Sequence, residues 1–245
     1  MKKWPQEAYG WYREACDMFD YPSGPYGEPI KALIASGDTV LDLGCGIGAA
    51  SIMMSPWCKR VIAMDQDENA LRCLADKARE YGISNIETMH AGWPLSAPAK
   101  VDVVIALHVA QVMRSFANVK LVFESANKGG FIACQAAVSR QDEPFCELKE
   151  ELGITPGYEQ CDNGCYIKGI LETLGAHVSC KKNIYEFGQP LNSLDAAVRF
   201  VSWQIAAGDS MIPTVKKHID LYVVKTDGDY IVPITRQSCG ITFIK

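Results

Sequence analysis

No run of 18 apolar residues occurs in the 245-residue chain, so no membrane-spanning helix is expected. No block of basic residues occurs either. With a net charge of −5, nucleic acid is not an expected partner. The first residues, Met-Lys-Lys-Trp-Pro-Gln-Glu, carry a basic pair but no apolar core, so no signal peptide is expected. The ten cysteines follow no framework spacing. Without an export signal they read as reduced thiols, and the expected location is cytoplasmic. The one local cluster is Cys161-Asp-Asn-Gly-Cys165, which would need Cys146 or Cys180 to complete a metal site. Asp-Asn-Gly is adequately explained as a turn, and no metal is expected. No internal repeat and no linker composition appear, which predicts a single domain over 1–245.

What is present is organised around Thr39-Val-Leu-Asp-Leu-Gly-Cys-Gly-Ile-Gly-Ala-Ala-Ser51. The apolar run Val40–Leu43 suits a central strand, and a helix opens near Ala49. Between them Gly44, Gly46 and Gly48 let the backbone turn tightly against a ligand, at a helix N-terminus with free N–H groups. That is a nucleotide-type site. The spacing Gly44-x-Gly46-x-x-Ala49, with Asp65 downstream, also satisfies a loose dinucleotide fingerprint. Asp42 shifts the balance. A carboxylate two residues before the first glycine is badly placed for a pyrophosphate and well placed for a ligand bearing an amino group.

The string Leu-Asp-Leu-Gly-Cys-Gly-Ile-Gly resembles motif I of the class I methyltransferases that use S-adenosylmethionine (SAM), of the small-molecule type. The resemblance implies an α/β fold: a doubly wound, mostly parallel seven-stranded sheet with an antiparallel late strand. It also implies SAM as cofactor, held by Asp42, Gly44, Cys45, Gly46 and Gly48. Val61–Met64 reads as the second strand, ending in Asp65, an acid placed for the ribose hydroxyls, and Gln66, expected at the adenine edge. Asp65 also reads as a helix cap, although Asp67 can serve that role. Ile86–Met89 is a third strand, leading into His90-Ala91-Gly92-Trp93-Pro94. The family commonly has Asp-Ala where this chain has His90-Ala91. A neutral imidazole nitrogen or the N–H groups of Ala91 and Gly92 would take over the adenine contact, with Trp93 covering the ring or lying at the rim. The fourth strand, Val101–Leu107, delivers Leu107 and His108 to its carboxyl end, and His108 is the candidate catalytic base.

Residues 1–30 hold seven of the 23 aromatic side chains and read as a helical N-terminal cap. Residues 31–137 are the SAM-binding core, 138–215 a substrate lid with late helices, and 216–245 a C-terminal strand region. Within the core, Ala117–Asn127 reads as a helix stopped by Lys128-Gly-Gly130 and followed by the strand Phe131–Ala137. Tyr230–Thr235 and Gly240–Ile244 are read together as the closing strands. Tyr9, Trp11, Tyr12, Tyr26 and Trp203 are the candidate substrate-lining aromatics, and the segments 1–30, 139–165 and the helix of Trp203 are expected to form the lid. The reaction implied is in-line transfer of an activated methyl group to a small-molecule acceptor, with a homodimer as the assembly to look for. No Asn/Asp-Pro-Pro-Tyr string of the amino-methylating DNA enzymes occurs. Two alternatives stay open: a protein or RNA acceptor, and a SAM- or NAD-binding protein that does not methylate.

Overall fold

The computed structural model describes residues 4–93, 100–112, 115–137, 139–155, 163–226 and 228–245. In chain order the first elements are α1 (Gln6–Met18), α2 (Glu28–Lys31), β1 (Thr39–Leu43), α3 (Ala49–Met54), β2 (Arg60–Asp65), α4 (Glu68–Glu80), β3 (Ile86–His90), β4 (Val101–Leu107), α5 (Phe116–Ser125) and β5 (Ala126–Gln135). There follow α6 (Cys146–Glu151), α7 (Asn163–Thr173), β6 (His177–Glu186), β7 (Gln189–Leu191), α8 (Leu194–Ile205), α9 (Ile212–His218), β8 (Val224–Lys225), β9 (Tyr230–Val232) and β10 (Thr235–Ile244). The chain divides into two compact units where one decorated domain was expected. Unit 1 comprises 1–21, 137–160 and 184–236; unit 2 comprises 22–136, 161–183 and 237–245. Three stretches of the chain build each unit, and nothing in local composition announces the crossings.

Unit 2 is built on a seven-stranded sheet of order β3-β2-β1-β4-β5-β10-β6. The pairs β2–β3, β1–β2, β1–β4 and β4–β5 are parallel, whereas β10 runs antiparallel to β5. This is the mixed α/β sheet with a late antiparallel strand that the sequence implied. Strand order reverses between β1 and β4, so ligands are expected beyond the carboxyl ends of these strands. β1 and β4 are apolar nearly throughout because helices cover both faces of a parallel sheet. Leu41, Leu43, Val104, Ile132, Ile241 and Phe243 form the centre of the core, with Ile167, Ile170 and Leu171 of α7 packed against them. Burying each such side chain contributes roughly 1.5–3 kcal/mol.

Lys128-Gly-Gly130 is not a helix stop. Helix α5 ends at Ser125 and the glycines lie inside β5, paired with β4 and β10. The reason is steric: a Cβ on Gly130 would lie 2.2 Å from the Val104 carbonyl oxygen and 2.7 Å from the Phe243 ring. The pair is there for close approach, which local sequence cannot distinguish from punctuation.

Unit 1 packs α1 with α8 around Ala8, Trp11, Ala197, Phe200, Val201 and Ile205, joined by Phe145 and Leu148. Helix α1 buries Ala8, Trp11, Ala15 and Cys16, the stripe expected at helical period. A three-stranded sheet, β7-β9-β8, completes the unit. Tyr230–Val232 thus belongs to a different sheet from the closing strand β10, a correction to their joint reading; Pro233 and Ile234 separate the two strands. The grouping of 1–21 with 137–160 and 184–236 leaves Tyr26 in unit 2.

Gly130→Ala is expected to cost more than about 2 kcal/mol, because neither a carbonyl nor a buried ring can yield cheaply. Gly10→Ala, at a helical position with nothing within 4 Å of the new Cβ, should instead raise stability by about 0.5–1 kcal/mol. Urea unfolding of the two variants checks both signs.

Candidate functional site

The glycine turn leaves β1 with its donors already committed. Gly44 N and Cys45 N donate to the Met64 carbonyl at 2.8 and 3.0 Å, and Gly48 N donates to Cys45 at 2.9 Å. Gly46 N donates to Asp65 Oδ2 at 2.8 Å, and Asp67 N to Asp65 Oδ1 at 2.9 Å. Asp65 therefore ties the turn to the end of β2, and each of its oxygens retains lone-pair capacity for a further donor such as a ribose hydroxyl. Its alternative reading as a cap is settled by Asp67, whose side chain accepts from Asn69 N and Ala70 N at the start of α4.

Gly46 has φ +53 and nothing within 4 Å of where a Cβ would stand. Gly48 has φ +82, and a Cβ there would meet Leu74 Cδ1 at 2.1 Å. The turn thus closes against α4 at Gly48 and is open at Gly46. Helix α3 that follows is only six residues long.

Asp42 is buried and accepts the Ser51 hydroxyl at 2.5 Å. Burial, assisted by the Asp65 charge and opposed by the Ser51 bond, pushes its pKa up to about 6. The Cys45 thiol is pushed far above its usual range by burial and by the two carboxylates, so it lines the site as a neutral group. Asp42 and Asp65 together make this turn anionic. That suits a ligand carrying a sulfonium and an ammonium, and it repels a pyrophosphate.

Asp65 and His90 are register partners at the ends of β2 and β3. Ala91 N donates to the Asp65 carbonyl at 3.0 Å. His90 Nε2 lies 3.1 Å from the Gln66 carbonyl. A carbonyl only accepts, so Nε2 carries the proton and Nδ1 is the acceptor of the neutral ring. A Cβ built on Gly92 would make only ordinary van der Waals contact, with Gln66 Oε1 at 3.9 Å. Trp93 is buried in the core of unit 2, and its indole N–H has no acceptor among the described residues. It is a wall of the core, not a rim. Pro94 lies outside the described residues.

Leu107 ends β4 and His108 follows, exposed, with φ +56. His108 N donates to the Ala133 carbonyl at 2.8 Å, and its Nε2 lies 3.0 Å from Tyr26 Oη. Tyr26 Oη donates to Ser238 Oγ at 2.7 Å. With a proton directed at Ser238, Tyr26 Oη can accept from a protonated Nε2. The next residue, Val109, abuts the turn: its Cγ2 is 2.7 Å from a Cβ built on Gly44.

Tyr26 is fully buried, with its hydroxyl between His108 Nε2 and Ser238 Oγ. Tyr9 and Trp11 are buried too, Trp11 edge-on to Phe200 at 5.6 Å. Tyr12 and Trp203 are partly accessible, both within 6 Å of Trp4. Tyr9, Trp11, Tyr12 and Trp203 all belong to unit 1. Sequence reasoning missed Ser51 and Ser238. Ser51 sits at the third residue of α3, in reach of the strand before the turn, which was a local signal. Ser238 had none, being 212 residues from Tyr26. Among the described residues no group of three His, Cys, Asp or Glu side chains is placed to hold a metal. Cys161 lies outside them. Cys146 is buried, and Cys165 and Cys180 are exposed.

The sheet is that of the methyltransferase fold. Residues 40–129 match the family described as a methyltransferase domain, so the chain contains a SAM-dependent methyltransferase domain and SAM is its cofactor. Asp42, Gly46 and Asp65 fit that group by charge and by open space. Over 143 residues the chain is 28% identical to a ribosomal protein L11 methyltransferase of Edwardsiella ictaluri, covering 58% of this chain and 48% of that one. It thus spans about half the length of that enzyme. An uncharacterised protein of Haemophilus influenzae is 25% identical over 203 residues, 81% of this chain and 74% of that protein. In fold the chain is similar to magnesium protoporphyrin IX methyltransferase from Synechocystis, with TM-score 0.55, 16% identity, and coverage of 100% of this chain and 90% of that one.

Two outcomes are expected. Asp65→Ala should weaken binding of S-adenosylhomocysteine by about 2–4 kcal/mol, through a lost charged acceptor and a loosened turn; calorimetry reads this directly. The second concerns Asp42. A carboxyl whose folded pKa lies above its unfolded value binds a proton more readily when folded. Its contribution is therefore best in acid, falls as pH rises from about 4 to about 6, and stays unfavourable above. Asp42→Asn should raise the stability of the ligand-free protein by about 1–3 kcal/mol at pH 8 and leave it nearly unchanged at pH 4. Urea titrations at the two pH values decide it.

Proposed function

We propose that the protein methylates a small-molecule acceptor, with His108 as the base that relieves the acceptor of its proton. The observation that carries this reading is the Ser238–Tyr26–His108 chain, which fixes an exposed imidazole at the carboxyl end of β4, one residue from the side chain that abuts the glycine turn. When bound, SAM supplies a methyl group already activated on a sulfonium. What the chain must add is orientation, exclusion of water, and removal of a proton where the acceptor is a hydroxyl, thiol or ammonium.

In this reading Asp42 faces the ammonium of the cofactor, Asp65 accepts from its ribose, and Gln66, His90, Ala91 and Gly92 border its adenine, with Cys45 and Leu107 as apolar lining. Tyr26 orients the His108 ring, which receives the acceptor's proton. The magnesium protoporphyrin methyltransferase, which has the same fold, supports a small-molecule acceptor, as does the net charge of −5. A protein acceptor is the second reading, favoured by the stretch shared with ribosomal protein L11 methyltransferases.

Turnover of labelled SAM with a metabolite panel, run beside ribosomal protein L11, separates the two acceptor classes. Transfer only to the protein would overturn the proposal. With the accepted metabolite, His108→Ala should lower kcat by about 10²–10⁴ while binding of S-adenosylhomocysteine stays within twofold. Tyr26→Phe should shift the pH–rate profile and leave cofactor affinity unchanged. Undiminished kcat in His108→Ala would remove the base.

A further inference from the structure

We propose that Ser51 is a positioning residue of the cofactor site: its hydroxyl, donated from α3, holds the Asp42 carboxylate in place as the receiver of the cofactor's ammonium. This rests on the reading that Asp42 faces that ammonium, and the closing experiment separates the failure of one from the failure of the other.

The contact joins two buried side chains across the glycine turn. Ser51 is fully buried, Asp42 is 2% exposed, and Ser51 Oγ donates to Asp42 Oδ2 at 2.5 Å. A helical serine has a nearer acceptor, a carbonyl one turn back in its own helix. Three other helical hydroxyls of unit 2 take that acceptor. Ser55 Oγ donates to the Ile52 carbonyl at 2.9 Å, Ser125 Oγ to Leu121 at 2.8 Å, and Thr173 Oγ1 to Gly169 at 2.8 Å. Ser51 gives its proton to the strand instead.

The surroundings of Asp42 leave this bond much to do. On β1 it lies opposite Ala63 of β2 and Ile105 of β4, both apolar, so neither neighbouring strand brings it a cation there. Asp65, at the end of β2, opposes its ionisation, and the Cys45 thiol of the turn stays neutral. His108, beyond the end of β4, is engaged with Tyr26. Asp38, also buried, has Lys128 and the Ala35 N–H; Asp42 has Ser51.

A hydrogen bond donated to a carboxylate favours its charged form, so Ser51 works against burial, which pushes the Asp42 pKa up to about 6. The same bond fixes the rotation of the carboxylate, whose oxygens keep lone-pair capacity for a donor arriving from solution. Ionised Asp42 attracts an ammonium and protonated Asp42 does not. Cofactor affinity must therefore fall as pH drops through the folded pKa, and loss of the Ser51 hydroxyl must move that fall to higher pH.

The test is calorimetric titration of the full chain with S-adenosylhomocysteine between about pH 5 and about pH 8, beside its analogue lacking the α-amino group. The deficit of Ser51→Ala against wild type should widen from under about twofold at pH 8 to severalfold near pH 6. Carbon-13 NMR of the ligand-free protein should find the Asp42 carboxyl midpoint at least about half a pH unit higher in Ser51→Ala. Ser51→Cys, with a weaker donor of similar shape, should fall between the two. The analogue should bind weakly and lose nothing in acid. An unmoved Asp42 midpoint in both Ser51 variants, or a deficit equal at every pH, overturns the proposal and leaves the role of Asp42 standing. If the analogue shows the same pH dependence as S-adenosylhomocysteine, or Asp42→Asn binds S-adenosylhomocysteine like wild type, the reading of Asp42 fails and the proposal with it.

Discussion

One carboxylate holds the cofactor turn in shape. Asp65 receives the N–H of Gly46 on one oxygen and that of Asp67 on the other, while the Met64 carbonyl before it takes Gly44 and Cys45. The end of β2 therefore consumes donors that a phosphate-binding turn would aim outward. What remains is a turn opened at Gly46 and bordered by two carboxylates, an inversion of the electrostatics that dinucleotide sites use. The same glycine spacing can serve either ligand; the acids decide which.

Asp42 shows what that decision costs. It is buried with Ser51 as its hydrogen-bond partner, and burial makes its ionised form unfavourable in the ligand-free state. A cationic ligand would convert this penalty into binding free energy, because the ion then gains the counter-charge the fold withholds. Replacing Asp42 with a neutral amide would ease folding and weaken the reason for the turn. Stability and cofactor affinity are opposed at this position by the sign of one charge.

Much of this was legible in the sequence because its causes are local. Positive φ at Gly44, Gly46 and Gly48, an apolar run before them, and an acid at the end of the next strand all leave marks within a few residues. Asp67 as a cap and the helical stripe of α1 are of the same kind. Where the cause was distant, reading failed. Gly129 and Gly130 resemble a helix stop until Val104 and Phe243 are placed beside them. Tyr230–Val232 resembles the end of the main sheet until β7 pairs with it. The aromatic density of the N-terminus was plain, but not that Tyr9 and Trp11 would be buried in packing, nor that Tyr26 would part from them to hold His108. Interactions spanning 82 and 212 residues have no signature in composition or period.

Asp42 stands apart from the other buried acid of unit 2. Asp38 is buried too, but it meets Lys128 and accepts the Ala35 N–H. Asp42 has no cation beside it among the described residues, and the nearest charge that acts on it is another carboxylate, Asp65. An acid that serves only the fold is ordinarily paired, because an unpaired buried charge costs roughly several kcal/mol and a paired one much less. The turn therefore holds its charge for a cation that arrives from solution, and a cofactor bearing a sulfonium and an ammonium supplies it.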